Sequence, residues 1–124
     1  MRILVVDDDP CTLNAIKVGL MSMGYEIFTA GAGEDALRVI QLAQESNRPP
    51  DLLLTDLRMP GMTGLEFIES AREFMPDIRA ILMTAYGDDD VRNQTGELGK
   101  CSYMDKPFRP GTLISMIEEN GLSI

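Results

Sequence analysis

The sequence predicts an α/β fold: a doubly wound, five-stranded parallel sheet covered by helices on both faces, in three αβα layers. Three observations carry this. Strand-like and helix-like segments alternate five times along 124 residues. The strand segments are continuous apolar runs, such as Ile3 to Val6 and Leu52 to Leu54, which is the pattern of strands buried on both faces. No repeat, low-complexity tract or linker interrupts the alternation, so one domain is expected to span 1–124, a size that can bury one core. The chain stops just after the fifth helix, which is expected to leave no room for an output domain.

Taken in order, Arg2–Val6 reads as a buried strand running into Asp7-Asp8-Asp9. Pro10 suits a first helical turn and Asp9 an N-cap. Leu13, Ile16, Val18, Leu20 and Met21 then give helical periodicity until Gly24 stops it. Tyr25–Thr29 is the second strand. Glu34–Glu45 is the second helix, with Ala36, Leu37, Ile40 and Ala43 on one face, and Asn47-Arg48-Pro49-Pro50 breaks it. Asp51–Thr55 is the third strand and ends at Asp56. After the loop Met59-Pro60-Gly61-Met62, Thr63 or Gly64 opens a third helix in which Leu65, Ile68 and Ala71 recur, and Pro76 closes it. Ile78–Met83 is the fourth strand, ending at Thr84-Ala85. Asp88–Leu98 reads as a weak fourth helix: Val91 and Leu98 are its strong apolar residues, and Gly96 costs about 1 kcal/mol relative to alanine. Ser102–Asp105 is a short fifth strand, Lys106-Pro107 breaks it, and Thr112–Asn120 is the last helix, ending at Gly121.

Composition narrows the chemistry. Lys plus Arg is 11 and Asp plus Glu is 20, a net charge of -9, which repels phosphate backbones and anionic lipids. Direct binding to nucleic acid or to a membrane is therefore not expected. No apolar run approaches the roughly 20 residues of a membrane span, and no signal peptide is expected before the first strand. A cytoplasmic location is expected, with Cys11 and Cys101 as free thiols, since they show no paired spacing. There is no histidine, which removes His-based general-base catalysis, Ser-His-Asp triads and most zinc sites.

Ligands of an open parallel sheet bind beyond the carboxyl ends of its strands, where strand order reverses. At those ends stand Asp7, Asp8 and Asp9 after the first strand, Asp56 after the third, Thr84 after the fourth and Lys106 after the fifth. Clustered carboxylates repel one another and call for a cation. An all-oxygen donor set without histidine or paired cysteine points to Mg²⁺. A carboxylate beside such a metal can attack phosphorus and form an aspartyl phosphate, with the metal and Lys106 neutralising charge on the transferred oxygens.

This set, Asp7-Asp8, Asp56, Thr84 and Lys106-Pro107-Phe108 in order at successive strand ends, resembles the receiver domain of two-component response regulators over essentially the whole chain. The resemblance implies the flavodoxin-like strand order 2-1-3-4-5. It implies Asp56 as phosphoacceptor, with Mg²⁺ held by Asp7, Asp8, Asp56 and the backbone carbonyl of Arg58. It implies Lys106 as the ammonium that pairs with the phosphoryl group, Thr84 as the hydroxyl that moves to bind it, and Tyr103 as an aromatic switch that turns inward afterwards. The Lys106-Pro107 bond is expected to be cis. The implied partners are a sensor histidine kinase or histidine phosphotransfer protein, an unidentified downstream target and, on phosphorylation, a second copy in a dimer. The protein would catalyse its own phosphorylation and slow dephosphorylation. The polar helix Asp88–Leu98 departs from the family pattern, as does its exit Gly99-Lys100-Cys101; it is expected to be marginal and to be ordered by phosphorylation. Arg58 and Tyr86 flank the pocket and are expected to tune the phosphoryl lifetime.

Three other readings compete. Gly31-Ala32-Gly33-Glu34-Asp35-Ala36 fits a dinucleotide fingerprint, and Asp51 lies about 20 residues on. Asp51, however, precedes its strand, and the motif lies away from the switch point between strands one and three. Asp7-x-Asp9 is similar to the nucleophile motif of haloacid-dehalogenase phosphatases, but position 11 is Cys where that family needs Thr or Val. A phosphorylation-independent interaction module on the same fold is the remaining alternative. Asp9 itself reads as a helix cap.

Overall fold

A computed structural model describes residues 1–84, 99–106 and 108–121. The expected helix Asp88–Leu98, Tyr86 and the Lys106-Pro107 bond lie outside the described residues. The elements run β1 (Arg2–Val6), α1 (Pro10–Met21), β2 (Glu26–Ala30), α2 (Gly33–Glu45), β3 (Leu52–Asp56), α3 (Gly64–Phe74), β4 (Arg79–Thr84), β5 (Cys101–Asp105) and α4 (Pro110–Gly121). All strand pairs are parallel and the order is β2-β1-β3-β4-β5, as expected, so strand order reverses between β1 and β3.

The continuous apolar runs divide by strand alternation between two cores. Leu4, Val6, Leu53, Ala80 and Leu82 face α2 and α3, where they meet Ala36, Ile40, Phe67, Ile68 and Ala71. Ile3, Val5, Leu52, Leu54, Ile81 and Met83 face α1 and α4, meeting Ile16, Leu20, Leu113 and Ile117. Most of these side chains are fully buried, and each large one contributes roughly 1.5–3 kcal/mol relative to exposure. Two cores on one sheet make its carboxyl edge a rigid platform.

Several boundaries differ by one residue from the sequence reading, for reasons visible in the hydrogen bonds. β2 begins at Glu26 because the Tyr25 N–H is still held by the Leu20 carbonyl at the exit of α1. β3 begins at Leu52 because the Asp51 carboxylate accepts from the Arg2 N–H, closing the strand's lower end. β4 begins at Arg79 because the Ile78 N–H turns back to the Met75 carbonyl. At the upper end the ladder continues through Leu57 N–H to Met83 O and Lys106 N–H to Thr84 O, so Asp56 and Thr84 are the last strand residues. Helix α1 forms as its spacing predicts, with a narrow buried stripe. Ile16 and Leu20 are buried, whereas Val18 and Met21 are 59% and 53% exposed, because one helical face alone meets the sheet.

The lower edge is tied by charge. Arg2 and Arg48 both pair with Glu26, joining the edge strand β2 to β1 and to the turn after α2. Arg72, in the last turn of α3, donates to the carbonyls of Ile78 and Lys100 and so holds the starts of β4 and β5 together. Gly99 (φ 73°) and Lys100 (φ 47°) turn the chain into β5 with left-handed torsions.

α3 starts hard against the end of β3. Thr63 caps it, accepting from the Glu66 N–H while the Glu66 carboxylate accepts from the Thr63 N–H. The Gly64 N–H donates to the Leu57 carbonyl at 2.8 Å. A Cβ at Gly64 would press into the Asp56 carbonyl oxygen and stand 2.8 Å from Leu82 Cδ1. Gly64→Ala is therefore expected to cost about 1–3 kcal/mol of stability, read by denaturant melts, although alanine is the better helix former.

Candidate functional site

Four strand ends meet where the order reverses. β1 delivers Asp7, 1% exposed, and Asp8, which is exposed; β3 delivers Asp56, partly buried. One carboxylate oxygen from each of the three lies within 4.8 Å of the others, the only such acidic cluster among the described residues. β5 delivers Lys106, whose Nζ stands 2.9 Å from Asp7 Oδ2 and 3.5 Å from Asp56 Oδ2. The other oxygen of Asp7, Oδ1, accepts from the Asp9 N–H at 2.9 Å, so the Asp7 carboxylate is fixed at both ends. Buried Thr84 ends β4 at the register position opposite Asp105.

Asp9 does not join the cluster. Its carboxylate caps α1, accepting from the Cys11 N–H at 3.2 Å and from the Thr12 hydroxyl at 2.6 Å. Those bonds hold its pKa below the usual carboxylate value. Arg58 is exposed on the loop after β3. Tyr103 is half-buried on the α2/α3 side of β5, and its hydroxyl donates to Asp105 Oδ1 at 2.8 Å. The glycine motif at 31–36 opens α2 beside the edge strand β2, away from the reversal. Sequence reasoning did not find two supports of the site. One is Gly64, signalled only by a glycine directly after a capping threonine. The other is the hold of Asp105 on Tyr103, signalled only by their i, i+2 spacing on one strand face.

Electrostatics at the site are unbalanced. Burial raises the pKa of Asp56 most strongly; the Lys106 charge opposes this and the neighbouring Asp7 adds to it, leaving the pKa above the ordinary value. For Lys106 burial works against the charge, but the hydrogen bond and attraction of Asp7, then those of Asp56, outweigh it and raise its pKa. One ammonium thus pairs with two of the three clustered carboxylates. The donor set is all hard oxygen with a net negative charge, which suits Mg²⁺ in type and charge.

An open, doubly wound sheet of order 2-1-3-4-5 with acidic side chains at its switch point defines a flavodoxin-like α/β protein whose chemistry is at the carboxyl edge. Residues 3–118 match the response regulator receiver domain, and the chain belongs to that family, which serves phosphorylation-based two-component signalling. It is 35% identical over 107 residues to sporulation initiation phosphotransferase F of Bacillus subtilis, covering 86% of this chain and 82% of that protein. It is 36% identical to the phosphate regulon transcriptional regulatory protein PhoB of Pseudomonas aeruginosa, over 94% of this chain and 49% of that one. This chain spans about half or less of the transcriptional regulators it matches. Among solved structures, the chemotaxis protein CheY4 of Vibrio cholerae superposes with a TM-score of 0.86 at 28% identity, covering 95% of this chain and 96% of that one. A CheY-like receiver domain from Methanospirillum hungatei gives 0.82 at 32% identity, covering 95% and 90%.

The raised pKa of Asp56 has a sign. Its ionised form is less favourable folded than unfolded, so the stability it contributes is complete below the unfolded value and is lost as pH rises through the folded one. Asp56→Asn is expected to raise the Tm at neutral pH by a few degrees, the response of a domain this size to ~1 kcal/mol. Melts at descending pH should show the gain shrinking as the wild-type carboxylate protonates.

Proposed function

We propose that residues 1–124 form one receiver domain that accepts a phosphoryl group on Asp56 in a Mg²⁺-dependent reaction, from a sensor histidine kinase or histidine phosphotransfer protein in the cytoplasm, and releases it slowly by its own hydrolysis. The observation that carries this is the convergence of Asp7, Asp8, Asp56 and Lys106 Nζ at the strand-order reversal. Asp7, Asp8, Asp56 and the Arg58 carbonyl would hold Mg²⁺, which when bound supplies positive charge for the phosphoryl oxygens.

The chain's own groups do the rest. A carboxylate oxygen of Asp56 attacks phosphorus, the P–N bond to the donor imidazole breaks, and that nitrogen keeps the electron pair and takes a proton from solvent. Partial burial leaves the Asp56 oxygens less solvated than an exposed carboxylate's, so less water must leave before attack. Lys106, already charged and within 3.5 Å of Asp56, follows the incoming negative charge from Asp7 to the phosphoryl oxygens. Thr84 donates its hydroxyl to the same oxygens. Tyr103 then exchanges its Asp105 bond for an inward position, shifting the population between two arrangements. Water attack on phosphorus releases inorganic phosphate and restores Asp56. A downstream target reads the shifted state, and a phosphorylation-dependent dimer is compatible with it.

Intact mass after incubation with Mg²⁺ and acetyl phosphate tests the reading. One added phosphoryl group is expected, absent in Asp56→Asn and after chelation. Lys106→Met, which removes a charge from the transferred oxygens, should slow the gain by ~100-fold. No gain, with beryllofluoride still binding, would mean that only the protein's own kinase serves as donor. No gain and no beryllofluoride binding would leave a phosphorylation-independent interaction module.

A further inference from the structure

The glycine motif that opens α2 has a structural cause that its likeness to a nucleotide fingerprint hides. Gly33, the first residue of α2, is buried and does not have a left-handed torsion that would itself demand glycine. What excludes a side chain there is Met62. A Cβ on Gly33 would stand 2.7 Å from Met62 Sδ, 3.1 Å from its Cγ and 3.2 Å from its Cβ. Rotation can withdraw a thioether, but Met62 Cβ moves only with the backbone that carries it. That backbone is the loop from Asp56 to Gly64.

This loop is anchored at several points. Met59 is buried in the α2/α3 core, Gly64 abuts the Asp56 carbonyl, and Met62 packs partly buried against the same core. Between Met59 and Gly64 lie Pro60, Gly61, Met62 and Thr63, of which Met62 alone is a large apolar side chain. Its rest is the start of α2, whose cap Ala32 has no side-chain bond to the helix and whose first turn is set by packing. The contact therefore ties the acceptor loop to a helix that contributes no group to the cluster of carboxylates.

We infer that Met62 is a positioning residue for the acceptor Asp56, seated on the start of α2 in the space that Gly33 leaves by having no Cβ. The inference rests on the phosphoryl-acceptor reading. Local propensity predicts the opposite for the key variant, since alanine favours a helix more than glycine does. Here Gly33→Ala should push the loop and disturb the line of attack at Asp56, and small misplacements of reacting atoms are costly.

The test compares Gly33→Ala, Met62→Ala, the double variant and Gly31→Ala, whose added Cβ would meet nothing within 4 Å. Each is read by the rate of mass gain with acetyl phosphate and Mg²⁺, and by amide exchange in residues 56–64. Gly33→Ala should slow phosphorylation by about tenfold and speed exchange in that loop. Met62→Ala, which removes the seated side chain, should do the same. The double variant should be no slower than the worse single variant, because both changes break one contact, and Gly31→Ala should match the wild type. Wild-type rate and exchange in Gly33→Ala would overturn the inference. So would a wild-type rate in Met62→Ala, or a double variant whose losses multiply, since the two positions would then act independently. If the wild-type protein itself gains no phosphoryl group from any donor, the acceptor reading falls, while exchange in 56–64 still decides whether Met62 and Gly33 hold this loop.

Discussion

Three carboxylates held within 4.8 Å of one another repel, and the upper edge of the sheet is organised to keep them together. Asp7 cannot retreat, because its strand is buried on both faces and both its oxygens are engaged. Asp56 cannot retreat either, because the ladder continues past it through Leu57 to Met83 and Gly64 packs on its carbonyl. The single ammonium of Lys106 offsets part of the repulsion and leaves a net negative pocket. The two apolar cores exist on either side of the sheet to make this crowding affordable. The crowding is of the kind that a bound cation relieves.

The two ends of the sheet carry opposite designs. At the lower edge several charges lie beside opposites: Glu26 with Arg2 and Arg48, Asp77 with Lys100. Arg72 there satisfies two carbonyls at the starts of adjacent strands. At the upper edge charges of one sign are gathered and left under-neutralised. Exposed pairs of the first kind contribute little to stability individually, but they link neighbouring elements at the end remote from the acidic cluster.

Much of this was legible in the sequence. Continuous apolar strands, turn residues after each and acids at the first and third strand ends were enough for the layers and for Asp7, Asp8, Asp56 and Lys106. Strand order was not, since it is set by long-range pairing that leaves no local mark; it came from family resemblance. Spacing marked α1 as helical through Val18 and Met21 but carried no sign of which residues the sheet reaches, and both are exposed. Gly64 and Gly33 escaped for a related reason. Each is glycine on account of an atom distant in its environment, the Asp56 carbonyl or the Met62 side chain, and a linear pattern cannot distinguish that from a turn.

The Asp7 carboxylate ends one arm of a relay of hydrogen bonds: Lys106 to Asp7, the Asp9 N–H to Asp7, and Cys11 and Thr12 to Asp9. Whatever draws electron density from Asp7 weakens the acceptor of the Asp9 amide and is felt at the first turn of α1. The Asp9 amide proton is therefore a natural spectroscopic reporter. Its resonance reports charge placed beside Asp7 from a backbone position outside the carboxylate cluster.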